Sequence, residues 1–396
     1  VTLGSKTGAG PAGLHVLTLT PFYPEQGDDG SGCFVAEPLA ALSKIGVTNS
    51  VFVVTPFYRK AASVHRDAPS AQGVRYAALP GGWGLASSGA FLFSALVSRV
   101  RNLHARSPIH AIHAHGPLPA GHAAMLLRRE LGIPFVVSVH GLDAYADRQV
   151  AGRPGQWCRR VSRLVFQSAD RVVCISEHVR EQVLQGGAAS KTTVVYNGAD
   201  PALFAPDANS VSNASAAQRI LSIGNLIPIK GHEFLLRAIA ALTDKHPTLQ
   251  CDLVGDGPLR GKLTALTKEL GIADRVHFLG RRSRREVAAL LRSATIFALP
   301  STYEGLGCVY LEAMATGRAA VGCRGQGIEE IIRHGSNGWL VAPNDVADLT
   351  LGLSKLLEND SLRGYIAGEG RQTVLQGFTI EHQAQRLLRV YQECVR

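Results

Sequence analysis

Short apolar runs rich in β-branched residues alternate with longer segments of helical period along nearly the whole chain. LHVLTL (14–19), SVFVV (50–54), IHAIHA (109–114), PFVVSV (134–139), RVVCI (171–175) and TTVVY (192–196) have the length and continuity of strands buried on both faces. VAEPLAALSKIG and GHAAMLLRRELG, between them, carry apolar residues at helical spacing. The alternation then restarts with RILSIG (219–224), LQCDLVG (249–255), RVHFLG (275–280), ATIFALP (294–300), AAVGC (319–323) and GWLVAP (338–343). This predicts an α/β protein with two Rossmann-like, doubly wound parallel-sheet domains. YNGADPALFAPDANSVSNASAAQ (196–218) has no apolar period and reads as the linker. The expected domains are 1–200 and 207–379. Helices are expected at about 345–358 and 360–376, and a last one over 380–396 has no strand left to cover, so it is expected to pack back on the first domain.

Two such domains leave a cleft between the carboxyl ends of their sheets, so the residues just after each strand are the candidates for chemistry. In STYEGLGCVYLEAMATG (301–317), Glu304 lies in a glycine turn and Glu312 about one turn into a helix, with Val309, Leu311 and Met314 available for packing. A helix N-terminus attracts anions, whereas carboxylates suit the vicinal hydroxyls of sugars. A ligand carrying sugar, diphosphate and ribose would satisfy both; the alternative is a surface-loop Glu304 and a helix-solubilising Glu312. In IGNLIPIKG (223–231), Lys230 stands where a helix opens and is a natural phosphate contact, or else a solvated first-turn lysine. VGDGPLRGKL (254–263) holds a tight turn at Gly255, with Pro258 expected at the first helical position. RRSRREV (281–287) is either a basic nucleotide rim beginning at Arg281 or a solvated helix start. In the first half, TPFYPEQGDDGSG (20–32) ends in Gly30-Ser31-Gly32, a candidate lid or phosphate cradle. SVHGLD (138–143) sets His140 and Asp143 after a buried strand, and His113 and His115 sit at another strand end. Strand-end packing accounts for His113, His115 and His122 better than a metal does, because no carboxylate accompanies them.

Composition narrows the class. With 46% hydrophobic and 18% charged residues in 396, the chain suits a globular protein with a large interior. No apolar run reaches the roughly 18–20 residues of a membrane span. The opening VTLGSKTGAGPAG lacks an apolar h-region and reads as a processed or appended tail. Seven scattered cysteines without a CxxC pair point to a reducing cytoplasm. The net charge is +10: residues 1–200 carry 19 Lys/Arg against 12 Asp/Glu (+7), and the remainder 22 against 19 (+3). Ordinary solubility charge accounts for this excess, as does a phosphate-rich ligand or an anionic membrane surface. Nucleic acid does not, since no recognised nucleic-acid motif appears and aromatics are only 6%.

These motifs, with GNLIPIKGHEFLLRAI, LVGDGPLRGKL, LPSTYEGLGCVYLEAMATGRAAVG and NGWLVAPND in this order, resemble those of GT-B-fold retaining glycosyltransferases of the family-four type; YNGADPALF is similar to that family's linker segment. The resemblance covers nearly the whole chain, and its specific part is the Glu304/Glu312 spacing. It implies a donor site in which Glu304 meets the sugar hydroxyls and Glu312 the ribose. Backbone groups around Gly305, Leu306, Gly307, Cys308 and Val309 would hold sugar and phosphate. Lys230 would neutralise the leaving diphosphate, with no metal or other cofactor. Gly30 and Gly32 resemble the family's glycine loop, and His140 its donor-facing histidine. Asn225, where the family often has arginine, Gly255 and Arg281 complete the expected donor contacts, with His115 and Asp143 on the acceptor side. GQG (325–327) replaces paired glycines, and GFTIEHQ lacks a frequent tryptophan. The implied reaction moves a hexose from a UDP- or GDP-linked sugar to a hydroxyl of a saccharide or lipid-linked acceptor, in polysaccharide or glycolipid synthesis of a bacterial type. SGAFLFSALVSRVRNLHAR (88–106), apolar then Arg-rich, fits either an inner-membrane-face contact or an ordinary amphipathic core helix. Competing readings are a GT-B-like sugar-nucleotide epimerase, a phosphorylase, a non-catalytic sugar-nucleotide binder and an NAD-type oxidoreductase. The last requires a glycine fingerprint after the first strand, where LTLTPFYPEQ stands.

Overall fold

The computed structural model describes residues 13–59, 71–80, 82–145, 150–186, 191–207 and 218–395. The opening residues 1–12 and the 208–217 part of the expected linker lie outside these. The first sheet contains β1 (His15–Thr20), β2 (Thr48–Pro56), β3 (Ala71–Tyr76), β4 (Ala111–His115), β5 (Phe135–Val139), β6 (Arg171–Cys174) and β7 (Thr192–Val194). The second contains β8 (Arg219–Ile223), β9 (Gln250–Val254), β10 (Val276–Gly280), β11 (Ile296–Ala298), β12 (Ala319–Cys323) and β13 (Trp339–Val341). The helices are α1 (Cys33–Lys44), α2 (Gly82–Arg106), α3 (His122–Leu131), α4 (Gly152–Ser168), α5 (Glu177–Gln185), α6 (His232–Leu242), α7 (Arg260–Glu269), α8 (Arg284–Ser293), α9 (Cys308–Ala315), α10 (Val346–Glu358), α11 (Asp360–Gly377) and α12 (Ile380–Val395).

Both sheets are parallel throughout, in the orders β3-β2-β1-β4-β5-β6-β7 and β10-β9-β8-β11-β12-β13. Strand order therefore reverses between β1 and β4 in one sheet and between β8 and β11 in the other. Loops leaving the two strands on either side of such a switch point diverge and open a crevice. The segments so placed are 21–32 after β1, 224–231 after β8 and 299–307 after β11.

The sequence pattern misses β3. This edge strand buries only Val74 and Tyr76 and shows Gln72, Gly73 and Arg75 to solvent, so it has no continuous apolar run. Pro258 also departs from expectation: it lies in the turn before α7, which begins at Arg260. The helix starts with local caps are more legible. Ser176, Asp345 and Asn359 cap α5, α10 and α11, and Ser283 with Glu286 forms a reciprocal capping box on α8.

Helix α12 packs on α1 and the first sheet: Ala384, Leu387, Val390 and Tyr391 share an apolar cluster with Val16, Val35, Leu39 and Val136. A fully buried side chain of this size contributes about 1.5–3 kcal/mol relative to exposure, so the helix is firmly seated. The chain thus passes between the sheets twice, and the two passes run side by side. The Ala199 N–H donates to the Phe378 carbonyl at 3.0 Å, and the Ile380 N–H donates to the Ala199 carbonyl at 3.1 Å. Phe204, in the expected linker, is fully buried. In α2, Leu92, Leu96 and Val100 face the core while Phe91 is exposed.

Candidate functional site

A cleft of about 440 Å³ opens where the loops at the two switch points face each other. Its second-domain wall begins with Lys230. After β8 the chain makes a short turn, Pro228–Lys230, and Gly231 (φ 69°) starts α6, which projects Lys230 into the cleft. Lys230 Nζ lies 2.5 Å from Glu304 Oε2, with both side chains mostly buried. The Thr302 N–H donates to the Ile229 carbonyl at 2.8 Å, locking the loop after β11 to the loop after β8. The Glu304 N–H donates to Gln326 Oε1 at 2.9 Å, and the Gly327 N–H to the Glu304 carbonyl at 3.1 Å. Gln326 of the GQG segment is therefore what positions the Glu304 turn.

Beyond that turn the backbone passes directly under the first domain. The Ser176 hydroxyl donates to the Gly305 carbonyl at 2.5 Å, and a side chain at Gly305 would come within 2.8 Å of the His140 carbonyl. Only glycine permits that approach. Leu306 is fully buried, so it and Gly305 support the cleft from behind, whereas Gly307, Cys308 and Val309 form its wall at the N-terminus of α9. Leu311 and Met314 pack inside as expected, but Val309 faces the cleft and the buried neighbour is Tyr310, whose hydroxyl donates to the Leu299 carbonyl at 2.5 Å. First-turn N–H groups of a helix have no intrahelical acceptor and carry partial positive charge, so this wall suits an anion. The Cys308 Sγ accepts from Asn197 Nδ2 at 3.2 Å, and Asn197 Oδ1 accepts from Gln383 of α12 at 3.1 Å, which ties the α9 N-terminus to the two interdomain passes.

Glu312 points to the other end of the cleft and meets Arg284, the first residue of α8, at 2.6 Å. Arg284 also holds Glu37 of α1 in a two-bond pair (Nε to Oε1 2.9 Å, Nη2 to Oε2 3.0 Å), and its guanidinium lies 4.7 Å from the Phe204 ring centre. The Arg284 N–H donates to Asp29 Oδ1 at 2.9 Å, and Arg281 reaches Asp28 Oδ2 at 2.7 Å. Arginines from one domain thus grip acids from the other across the cleft mouth. Gly30 and Gly32 line the same mouth. Gly32 (φ 72°) is required there, since a side chain would come within 2.4 Å of the Tyr23 backbone nitrogen. Asn225 and Gly255 line the second-domain wall beside Lys230.

The histidines lie behind this cleft. His140 is covered by Phe34 (ring centres 4.8 Å apart) and approached by Phe22 at 6.2 Å, and both phenylalanines line the cleft. Its ring stacks on His115, with His140 Nε2 and His115 Nδ1 2.9 Å apart. His113 bonds to the Tyr391 hydroxyl and to Ser138, each at 2.7 Å. Asp143 Oδ1 accepts the His140 N–H at 2.8 Å and thereby shapes the turn, while its Oδ2 has no hydrogen-bond partner among the described residues. His115 and Asp143 are consequently not on the cleft wall: β4 is an interior strand, and its last residue is covered by the turn that carries His140. Among the described residues, no group of His, Cys, Asp and Glu side chains is arranged to hold a metal ion.

Burial holds His140 down at about 4 and His113 at about 3, and it lowers His115 well below the usual imidazole value. Burial pushes Asp143 up to about 6. The unfolded chain binds protons at these imidazoles more readily than the fold does, so their contribution is complete above pH 6.5 and is lost as the pH falls toward 4. Asp143 acts oppositely: its neutral form is favoured in the fold, and its contribution is lost as the pH rises from 3.8 to about 6. Three imidazoles outweigh one carboxyl. The melting temperature is expected to fall on acidification from about pH 6.5 to about pH 4.5, with a shallower fall in His140→Gln. A flat wild-type profile over that range would contradict the neutral histidine cluster.

Of the residues read from the sequence, Gly30, Gly32, Asn225, Lys230, Gly255, Arg281, Glu304, Gly307, Cys308, Val309 and Glu312 line one cleft. Gly305, Leu306, His140, His115 and Asp143 stand behind it. Sequence reasoning did not single out Arg284, Glu37, Asp28, Asp29, Asn197, Gln326 or Phe34. The Ser283-x-x-Glu286 spacing is a capping-box signal that could have marked Arg284 as the first residue of a helix, but nothing local distinguishes it among four neighbouring arginines.

Two family models match the chain: Glycosyltransferase Family 4 over residues 30–203 and Glycosyl transferases group 1 over residues 208–373. A D-inositol 3-phosphate glycosyltransferase of Salinispora arenicola is 31% identical over 328 residues, covering 76% of this chain and 73% of that protein. The structure is similar to sucrose-phosphate synthase of Thermosynechococcus elongatus (TM-score 0.78, 22% identity, 96% of this chain and 98% of that one). It is also similar to HepE of Anabaena, solved with UDP-glucose (TM-score 0.75, 20% identity, 96% of this chain and 99% of that one).

Proposed function

The chain belongs to the family-four glycosyltransferases of GT-B fold, and on that premise we propose that it moves a hexose from a UDP- or GDP-linked sugar to a hydroxyl acceptor, with retention and without a metal. The observation that carries this reading is the meeting of Lys230 and Glu304 at 2.5 Å beside the α9 N-terminus, with Glu312 one turn further along the same helix. One cation, one helix N-terminus and two carboxylates are the groups that a sugar, a diphosphate and a ribose require.

In this reading Glu304 accepts hydrogen bonds from the sugar hydroxyls and Glu312 from the ribose diol, each exchanging part of its present ion pair for the ligand. Lys230 and the N–H groups of Cys308 and Val309 stabilise the charge that builds on the leaving diphosphate, the place where preorganised donors have most effect. They supply the positive charge that a divalent cation would otherwise bring. Asn225, Gly255 and Arg281 flank the nucleotide, and the Gly30–Gly32 loop covers the phosphates. The acceptor hydroxyl approaches from the first-domain side past Phe22 and Phe34, which cover His140; the His140 ring is held in place by His115 and its turn is shaped by Asp143. It attacks on the face the diphosphate leaves and passes its proton to the departing phosphate oxygen. Closure of the cleft mouth by the Arg284 and Arg281 contacts keeps water out. The UDP-glucose bound to HepE and the glycosyl transfer named for the Salinispora relative support a nucleotide-sugar donor. A saccharide or lipid-linked saccharide is the acceptor class proposed, in polysaccharide or glycolipid synthesis at the cytoplasmic side of a membrane.

A thermal-shift panel of UDP-, GDP- and ADP-sugars in the presence of a chelator tests the donor site. A ligand at about 100 times its Kd stabilises by about 2.7 kcal/mol, so binding is readily seen. Stabilisation by one nucleotide family, lost in Glu312→Ala, is expected. No shift with any of the three would overturn the assignment.

A further inference from the structure

Helices α2 and α4 pack side by side on the first sheet and carry features that the donor cleft does not use. Trp83, near the start of α2, is 55% exposed, and Trp157, in α4, is 40% exposed; their ring centres are 6.1 Å apart. With Arg153, Arg159, Arg160 and Arg163 they border a surface groove of about 560 Å³. Neither helix contains an aspartate or glutamate. Phe91 and Leu164, each about two turns beyond its tryptophan, extend the exposed apolar row along both helices. Among the described residues, no carboxylate pairs with Arg153 or Arg160.

We propose that the paired Trp83 and Trp157 rings and the arginine row of α4 form a docking surface for an anionic lipid bilayer. Tryptophan rings are at home at the level of lipid headgroups, and Arg153 and Arg160, which no described carboxylate pairs, are attracted to a negatively charged leaflet. Charge decides against a second copy of this chain, because a self-complementary contact on this patch would press arginine rows together. Among the described residues no helix is long and apolar enough to cross a membrane, so the contact is superficial. In a parallel sheet all strand carboxyl ends lie at one edge, and α2 and α4 begin after β3 and β5 at that edge, as the cleft does. The patch would hold the acceptor side of the cleft toward the bilayer. This deepens the proposed transfer by choosing a lipid-linked acceptor, but the lipid contact does not depend on sugar transfer.

Vesicle co-sedimentation with tryptophan fluorescence tests it without an activity assay. Of the three tryptophans, Trp339 is buried at 8% exposure, so a blue shift reports on Trp83 and Trp157. The full chain is expected to bind phosphatidylcholine vesicles containing about 30% phosphatidylglycerol, with a blue shift that fades at high salt, and to bind pure phosphatidylcholine at least about tenfold more weakly. Trp83→Ala/Trp157→Ala should lose the binding, and Arg153→Ala and Arg160→Ala should each weaken it about fivefold, with unchanged circular dichroism melts. Four results would overturn the proposal: no binding to anionic vesicles, equal binding to both compositions, undiminished binding by the double tryptophan variant, or the same blue shift from inorganic pyrophosphate or self-association alone.

Discussion

Lys230→Ala is expected to lower turnover by about a hundred- to a thousandfold, the usual loss when one preorganised charge donor is removed from a developing anion. Substrate affinity should change far less than turnover, because the charge on the diphosphate grows as the glycosidic bond breaks. Glu304→Ala is expected to cost at least as much, since it removes the sugar contact and leaves Lys230 without the partner 2.5 Å away that holds its side chain in the cleft. The two residues form one unit. The double variant Lys230→Ala/Glu304→Ala should therefore be little worse than the poorer single variant, rather than the product of both losses. Steady-state kinetics of the three proteins, with melting curves to show that each folds, provide the test. Turnover within about threefold of wild type in either single variant would remove that residue from the reaction.

Arg284→Ala should give the largest loss of stability in the chain. Its guanidinium is almost wholly buried and is the common partner of Glu37 and Glu312, themselves largely buried. Truncating it leaves two carboxylates facing each other across the domain boundary with nothing to compensate their charge. Breaking a buried ion pair from one side typically costs about 3–5 kcal/mol. The stacking of Arg284 on Phe204 is lost as well. The thermal transition is expected to fall by several degrees, and the deficit should shrink at acidic pH, where protonation of Glu37, whose carboxyl burial pushes up to about 7, relieves the repulsion. Glu37→Gln keeps the hydrogen-bonding shape and should be much milder. A wild-type melting curve for Arg284→Ala would mean that the crossing contact does not hold the domains together.

How much of this was readable in advance depended on the range of each interaction. The β/α alternation, the glycine turns and the Glu304/Glu312 spacing are local in the chain, and eleven of the expected site residues line the same cleft. The edge strand Ala71–Tyr76 escaped because an edge exposed to water needs no continuous apolar run. Pro258 was placed inside a helix because proline is compatible with both a first helical turn and the turn preceding it. His115 looked like a cleft residue because a strand end is where ligands bind, yet the following turn of its neighbouring strand covers it.

By itself, then, the sequence determined the two-sheet architecture, the family and most residues of the cleft's second-domain wall, because hydrophobic period, turn chemistry and a short carboxylate motif are all written within a few residues of one another. Only the tertiary structure decided which of the four arginines bridges Glu37 and Glu312. It joined Arg284 to Glu37 across 247 positions, Asn197 to Cys308 across 111, and Ser176 to Gly305 across 129. It also brought Trp83 and Trp157 together on adjacent helices. Contacts of such sequence separation leave no periodic or local trace, since each partner satisfies its own helix or turn equally well in any fold, and only packing of the two domains selects them.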